Sequence, residues 1–191
     1  MKIGLFFGSF NPIHIGHLII ANTMAENTDL DQVWLVVSPQ NPAKRHSNSL
    51  LHEFDRYDMV EKAIADNHKL KVTDIEFHLP RPSYTIDTLT YIQEKYSTHQ
   101  FVIIMGGDNL VNLPKWKNAD KILEYYEIYV YPRPHTEKSD LENHPKIKIV
   151  EAPLVDISAT FIRNQLQQNK SIKYLTPENV EEHIKRKKFY I

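Results

Sequence analysis

Five consecutive apolar residues, Phe101-Val102-Ile103-Ile104-Met105, run straight into Gly106-Gly107-Asp108. A strand with one wet face alternates apolar and polar side chains, so an unbroken apolar run belongs to a strand buried on both faces. Residues 2–7 and Gln32–Val37 read the same way, and shorter strand-like segments lie at Leu70–Thr73, Ile128–Tyr131 and Ile147–Val150. Between them fall stretches of helical character at 15–27, Leu50–Asp66, 84–96 and Asn118–Tyr126, with two more at Ser158–Gln168 and Pro177–Arg186. Strands that alternate with helices specify an α/β chain: a Rossmann-like, doubly wound parallel sheet with helices on both faces, here followed by C-terminal helices. Ligands of such sheets sit beyond the carboxyl ends of the strands, near a switch in strand order. The chemistry is therefore expected in the residues that directly follow each strand.

Composition removes several classes. A length of 191 residues without repeats or a linker fits one domain over 1–191. There is no cysteine, so a disulfide-stapled secreted domain is excluded and a reducing compartment suits the chain. Lys plus Arg (23) balances Asp plus Glu (24), whereas a general polyanion binder carries a basic excess, so nucleic acid is not an expected partner. The run Lys185-Arg186-Lys187-Lys188 reads as a solvated helix end, where cations are favoured. No apolar run approaches the roughly 20 residues of a membrane span. Met1–Phe7 enters a strand without the apolar stretch and small-residue cleavage site of a signal peptide. A cytoplasmic location, away from membranes, is the expectation.

The segment Gly8-Ser9-Phe10-Asn11-Pro12-Ile13-His14-Ile15-Gly16-His17 joins the first strand to the first helix. Such a junction offers free backbone amides and the positive end of a helix dipole, which favours phosphate. Gly8 lets the backbone approach a ligand and Ser9 supplies a hydroxyl. Phe10 reads as core. His14 and His17, three residues apart, can aim at one spot and donate to phosphoryl oxygens. A metal pair is the rival reading, but no cysteine or carboxylate is placed to complete it. No Gly-Lys-Ser/Thr follows and no G-x-G-x-x-G occurs, so neither a Walker A loop nor a dinucleotide fingerprint is present. Farther on, Ser158 can cap a helix, with Thr160 and Arg163 on one face. Arg163 can fork onto phosphate oxygens. Ser83 can cap the helix over 84–96, with Asp87 in its first turn. The 38–49 loop, with two prolines, is long for a connection.

His14-Ile15-Gly16-His17 resembles the H-x-G-H signature of the nucleotidylyltransferase superfamily, shared with class I aminoacyl-tRNA synthetases. Ile157-Ser158-Ala159-Thr160-Phe161-Ile162-Arg163 is similar to its I-S-S-T-x-I-R motif. Ser83-Tyr84-Thr85-Ile86-Asp87-Thr88-Leu89 resembles the S-Y-T-x-D-T-L segment of bacterial nicotinate-nucleotide adenylyltransferases. Gly106-Gly107-Asp108-Asn109-Leu110 with Leu113 and Trp116, Pro39–Arg45, and Tyr131-Pro132-Arg133-Pro134 match further segments of that family, in order, across nearly the whole chain. Departures are Phe7 where many members have Gly, Asn11 where they have Asp, and Ala159 where they have a second Ser.

The resemblance implies transfer of AMP from ATP to nicotinate mononucleotide, giving nicotinate adenine dinucleotide (deamido-NAD) and pyrophosphate in NAD biosynthesis. It makes His14, His17 and Arg163 the catalytic group. ATP falls to the first loop (Gly8, Ser9, Phe10, His14, Gly16, His17), to Gly106 and Asp108, and to Ile157, Ser158, Thr160 and Arg163. Nicotinate mononucleotide falls to Asn11, Lys44, Ser83, Tyr84, Thr85, Trp116 and Arg133. Lys44 would neutralise phosphate, Trp116 would stack on the pyridine, and the amides of Tyr84 and Thr85 would take its carboxylate. The acceptor phosphate is already ionised, so neither a general base nor a covalent intermediate is implied. Mg²⁺ is expected with ATP, held by phosphate oxygens and water without dedicated protein ligands. Alternatives are a sibling transferase for nicotinamide mononucleotide or another phosphorylated acceptor, a relative of class I synthetases, and a non-catalytic nucleotide sensor. Oligomeric state stays open, a homodimer among the options.

Overall fold

The computed structural model describes residues 1–40, 49–134 and 136–191. Its centre is a six-stranded sheet built from β1 (Lys2–Gly8), β2 (Gln32–Val37), β3 (Leu70–Thr73), β4 (Gln100–Gly106), β5 (Glu127–Tyr131) and β6 (Ile147–Ile149), in spatial order β3-β2-β1-β4-β5-β6. All its pairings are parallel. Register aligns Leu5 with Trp34 on one side and with Ile103 on the other.

The unbroken apolar strands owe their composition to two cores. Phe6, Val33, Leu35, Val102, Ile104 and Tyr129 point into one layer, while Leu5, Trp34, Val36, Phe101, Ile103 and Ile128 point into the other. The first layer is closed by α1 (Ile15–Asn27), α2 (Glu53–Ala63), α6 (Ala159–Gln167) and α7 (Glu178–Lys187), through residues such as Met24, Met59, Ile162 and Ile184. The second is closed by α3 (Thr85–Lys95), α4 (Gly107–Asn112) and α5 (Ala119–Tyr125), through Leu89, Leu110 and Ile122. Successive strands thus send their helices to opposite faces at β1 and β4, which opens a crevice at the carboxyl ends of those two strands.

Several elements differ from their sequence reading. The helix expected over Leu50–Asp66 is shorter, because His52 caps α2 by accepting from the Phe54 amide. Ser83 does not cap α3. Tyr84 is the cap residue, without a side-chain cap bond, and the Ser83 hydroxyl donates instead to Glu76. A further helix, α4, starts at once after β4, followed by a 3-10 turn at Leu113–Lys115. Another 3-10 turn, Asp140–Asn143, interrupts the polar stretch at 135–146. No described helix is long and apolar enough to cross a membrane.

Candidate active site

The first loop leaves β1 at Gly8 and enters α1 at His14, its N-cap. Phe10 has a left-handed φ of 46° and a buried ring. A Cβ on Gly8 would lie 2.7 Å from that ring. Gly8 is therefore required by Phe10 itself, and not only by a ligand's approach. Phe10 is core, as its type suggests, and also forms part of the cavity wall. Its ring stands edge-on to His17, with centroids 5.0 Å apart.

His14 and His17 converge, their rings stacked at 3.7 Å. The His14 amide donates to Nδ1 of His17 at 3.3 Å. An acceptor Nδ1 on a neutral imidazole places the proton on Nε2, so His17 presents an N–H donor. Burial, then the Arg133 guanidinium, pushes His14 down to about 4. Burial, then His14 and Arg133, holds His17 well below its ordinary range. Both rings are neutral at neutral pH. The His14 Nδ1 is buried with no hydrogen-bond partner. Gly16 leaves room for that ring, which a Cβ would meet at 3.1 Å.

These shifts predict an acid-labile fold. His14 and His17 take up protons near 6.5 in the unfolded chain but resist them when folded, so the unfolded state binds more protons below that pH. His183, also lowered by burial, adds to the effect, while the buried Glu76, which is raised, opposes it. Urea unfolding should show stability falling from pH 6.5 toward 4, less steeply in His14→Asn. A flat profile over that window would contradict the assignment.

Arg133 lies beside the histidines. Its Nε sits 3.6 Å from Asp108 Oδ1, and both groups cross the bare face of Gly106, where a Cβ would lie 2.6 Å from Asp108. Arg133 therefore lines the cavity of the first loop, not the one that holds Trp116. Ser158 caps α6 by accepting from the Phe161 amide at 3.1 Å. Arg163, one turn on, donates to Thr160 at 3.1 Å and to the Asn11 carbonyl at 2.8 Å. With Ile157, they close a cavity of about 590 Å³ over the two histidines.

A second cavity of about 580 Å³ lies across Ser9, which lines both. Ser83, Tyr84 and Thr85 at the start of α3 form one wall, and the half-buried Trp116 another. The first amides of α3 lack intrahelical acceptors, as at any helix start. Lys117 lies 4.8 Å from the centre of the Tyr84 ring and pairs with Asp87 at 2.8 Å. Asn11, expected with this acceptor group, lines the first cavity instead, its side chain engaged by backbone. Lys44 lies outside the described residues.

Two supporting residues escaped sequence reading. Arg56 is fully buried and donates to the carbonyls of Ser38 at 2.8 Å, Leu51 at 2.9 Å, Pro39 at 3.2 Å and, closest of all, Ser9. Its signal was its position one turn before Met59 and Val60 on a buried helix face. Glu76 is a buried carboxylate that accepts from Ser83 at 2.9 Å and Thr88 at 2.8 Å and lines the second cavity. No spacing pattern announced it. Among the described residues no group of three or more His, Asp or Glu side chains could hold a metal ion.

Comparison with known proteins follows the same lines. The cytidylyltransferase-like family model matches residues 5–165. A probable nicotinate-nucleotide adenylyltransferase of Cytophaga hutchinsonii is 62% identical over 190 residues, covering 100% of this chain and 98% of its own. One from Flavobacterium johnsoniae is 54% identical, covering 100% and 99%. Plasmodium falciparum nicotinic acid mononucleotide adenylyltransferase complexed with NaAD superposes with a TM-score of 0.84 over 99% of this chain and 97% of that one, at 20% identity, a likeness of fold.

Proposed function

The chain belongs to the cytidylyltransferase-like family and, within it, to the nicotinate-nucleotide adenylyltransferases, and on that premise we propose that it transfers AMP from ATP to nicotinate mononucleotide in NAD biosynthesis. The products are deamido-NAD and pyrophosphate, and residues 1–191 act as one nucleotidyltransferase domain. The observation that carries this reading is the pair of cavities that share Ser9, one lined by His14, His17, Ser158, Thr160 and Arg163 and one by Trp116 and the start of α3.

ATP takes the first cavity, its triphosphate over His14 and His17. The acceptor takes the second, its pyridine against Trp116 and its carboxylate at the amides of Tyr84 and Thr85, where the helix start favours an anion over a neutral amide. An acceptor phosphate oxygen attacks the α-phosphorus in line, and the bond to the β-phosphate oxygen breaks. His17 donates from Nε2 to an α-phosphoryl oxygen, and His14 shares that charge. Arg163, with Ser158 and Thr160, holds the departing pyrophosphate. Arg133, which lines the first cavity, borders the ATP side, with Asp108 beside it at Gly106. Catalysis is positioning and charge stabilisation, without a covalent intermediate. With ATP, Mg²⁺ would supply charge neutralisation on the phosphates.

The test is product analysis. ATP, Mg²⁺ and nicotinate mononucleotide should yield deamido-NAD and pyrophosphate in equal amounts. ATP binding without either product would instead mark a nucleotide sensor.

A further inference from the structure

The last turn of the chain reaches the catalytic loop. After α7 the backbone passes through two left-handed, non-glycine residues, Lys188 at φ 54° and Tyr190 at φ 66°. Chain ends usually fray unless tied down, and such conformations persist only where surrounding contacts impose them. Here the Phe189 amide bonds back to Ile184, the Phe189 ring packs on the core, and the Tyr190 hydroxyl donates to Asn11 Oδ1 at 2.8 Å.

Asn11 joins four parts of the chain. Its Nδ2 donates to the Ser49 carbonyl at 2.9 Å, and its Oδ1 accepts from the Leu51 amide at 3.2 Å as well as from Tyr190. Its own carbonyl accepts from Arg163 Nη1 at 2.8 Å. The side chain uses both its donor and its acceptor, which an aspartate could not do. The base of the tail is itself fixed, since α7 packs on α2 and Asn179 donates to the Lys62 carbonyl at 2.7 Å.

We propose that Tyr190 is a positioning residue for the transfer reaction: its hydroxyl fixes Asn11, and through the Asn11 carbonyl it sets where Arg163 meets the leaving pyrophosphate. This rests on the function proposed above. Tyr190 touches no reacting atom. Its effect should appear on the pyrophosphate side and leave the acceptor pocket, across Ser9, unchanged.

Tyr190→Phe removes only the hydroxyl and keeps the packed ring. With wild-type protein forming deamido-NAD, this variant should turn over about tenfold more slowly, the scale of one lost positioning hydrogen bond. KM for nicotinate mononucleotide should stay within about twofold, while KM for pyrophosphate in the reverse reaction rises severalfold. In an Arg163→Ala background the same change should have little further effect, because the two residues act in one chain of contacts. Wild-type kinetics in Tyr190→Phe, an equal loss in both backgrounds, or a loss explained by a lowered melting temperature would overturn the proposal. An inactive wild-type protein would instead overturn the reading on which it rests.

Discussion

His17→Ala should lower kcat by at least about 10²–10³-fold, the usual loss when a donor to the transition state is removed. The size follows from how the ring is held. Its Nδ1 is occupied by the His14 amide, so Nε2 is the donor, and the Phe10 and Phe6 rings fix its plane. Its depressed pKa keeps it neutral before ATP binds, so the donor is present without a proton-uptake step in the free protein. Alanine also leaves a gap beside Phe10, which should lower stability modestly. Steady-state kinetics beside a melting curve separate the two effects, since ATP affinity and melting temperature should move far less than kcat. Turnover near the wild-type value would remove His17 from the mechanism.

Arg56→Leu should be the most damaging change to the fold. It strips the donors from the carbonyls of Ser9, Ser38, Pro39 and Leu51. Each buried acceptor left unpaired costs about 1–3 kcal/mol. Burial lowers Arg56 only to about 10, so it is charged in the folded protein, and removing that buried charge offsets part of the loss. A net cost on the order of 4 kcal/mol is a large share of the roughly 5–15 kcal/mol that holds a domain together. Urea unfolding measures it directly. Arg56→Lys should fall between, since one ammonium cannot reproduce a fork that spans four carbonyls. A change below about 1 kcal/mol for the leucine variant would show that these carbonyls find water or other partners.

Legibility followed the range of the forces involved. Strands buried on both faces carry their environment in their own composition, so Phe101–Met105 and Gln32–Val37 were readable in place. The convergence of His14 and His17 and the Ser158 cap of the helix that carries Arg163 were readable because they depend on spacing within a few residues. The failures were non-local. Ser83 looked like a helix cap, but a carboxylate on the preceding turn, Glu76, takes its hydroxyl. Arg133 follows β5, yet the side to which it turns is decided by the missing Cβ of Gly106 on the neighbouring strand. The helix over Gly107–Asn112 opens with a glycine and carries two asparagines, a weak local signal overridden by packing of Leu110 in the core. Arg56 went unread, because three of the four carbonyls that hold it come from distant parts of the chain and its place one turn before Met59 and Val60 was the one local sign. Asn11 looked like a lost aspartate until its contacts with residues 49, 51 and 190 were in view.

The most direct measurement is pyrophosphate release with ATP and Mg²⁺, comparing nicotinate mononucleotide with nicotinamide mononucleotide under identical conditions. Strong preference for the acid is the expected result, and it would tie the reaction to the start of α3 at Tyr84 and Thr85. Equal use of both would leave adenylyl transfer standing but contradict carboxylate selection at that helix, and silence with both would contradict the proposed reaction itself.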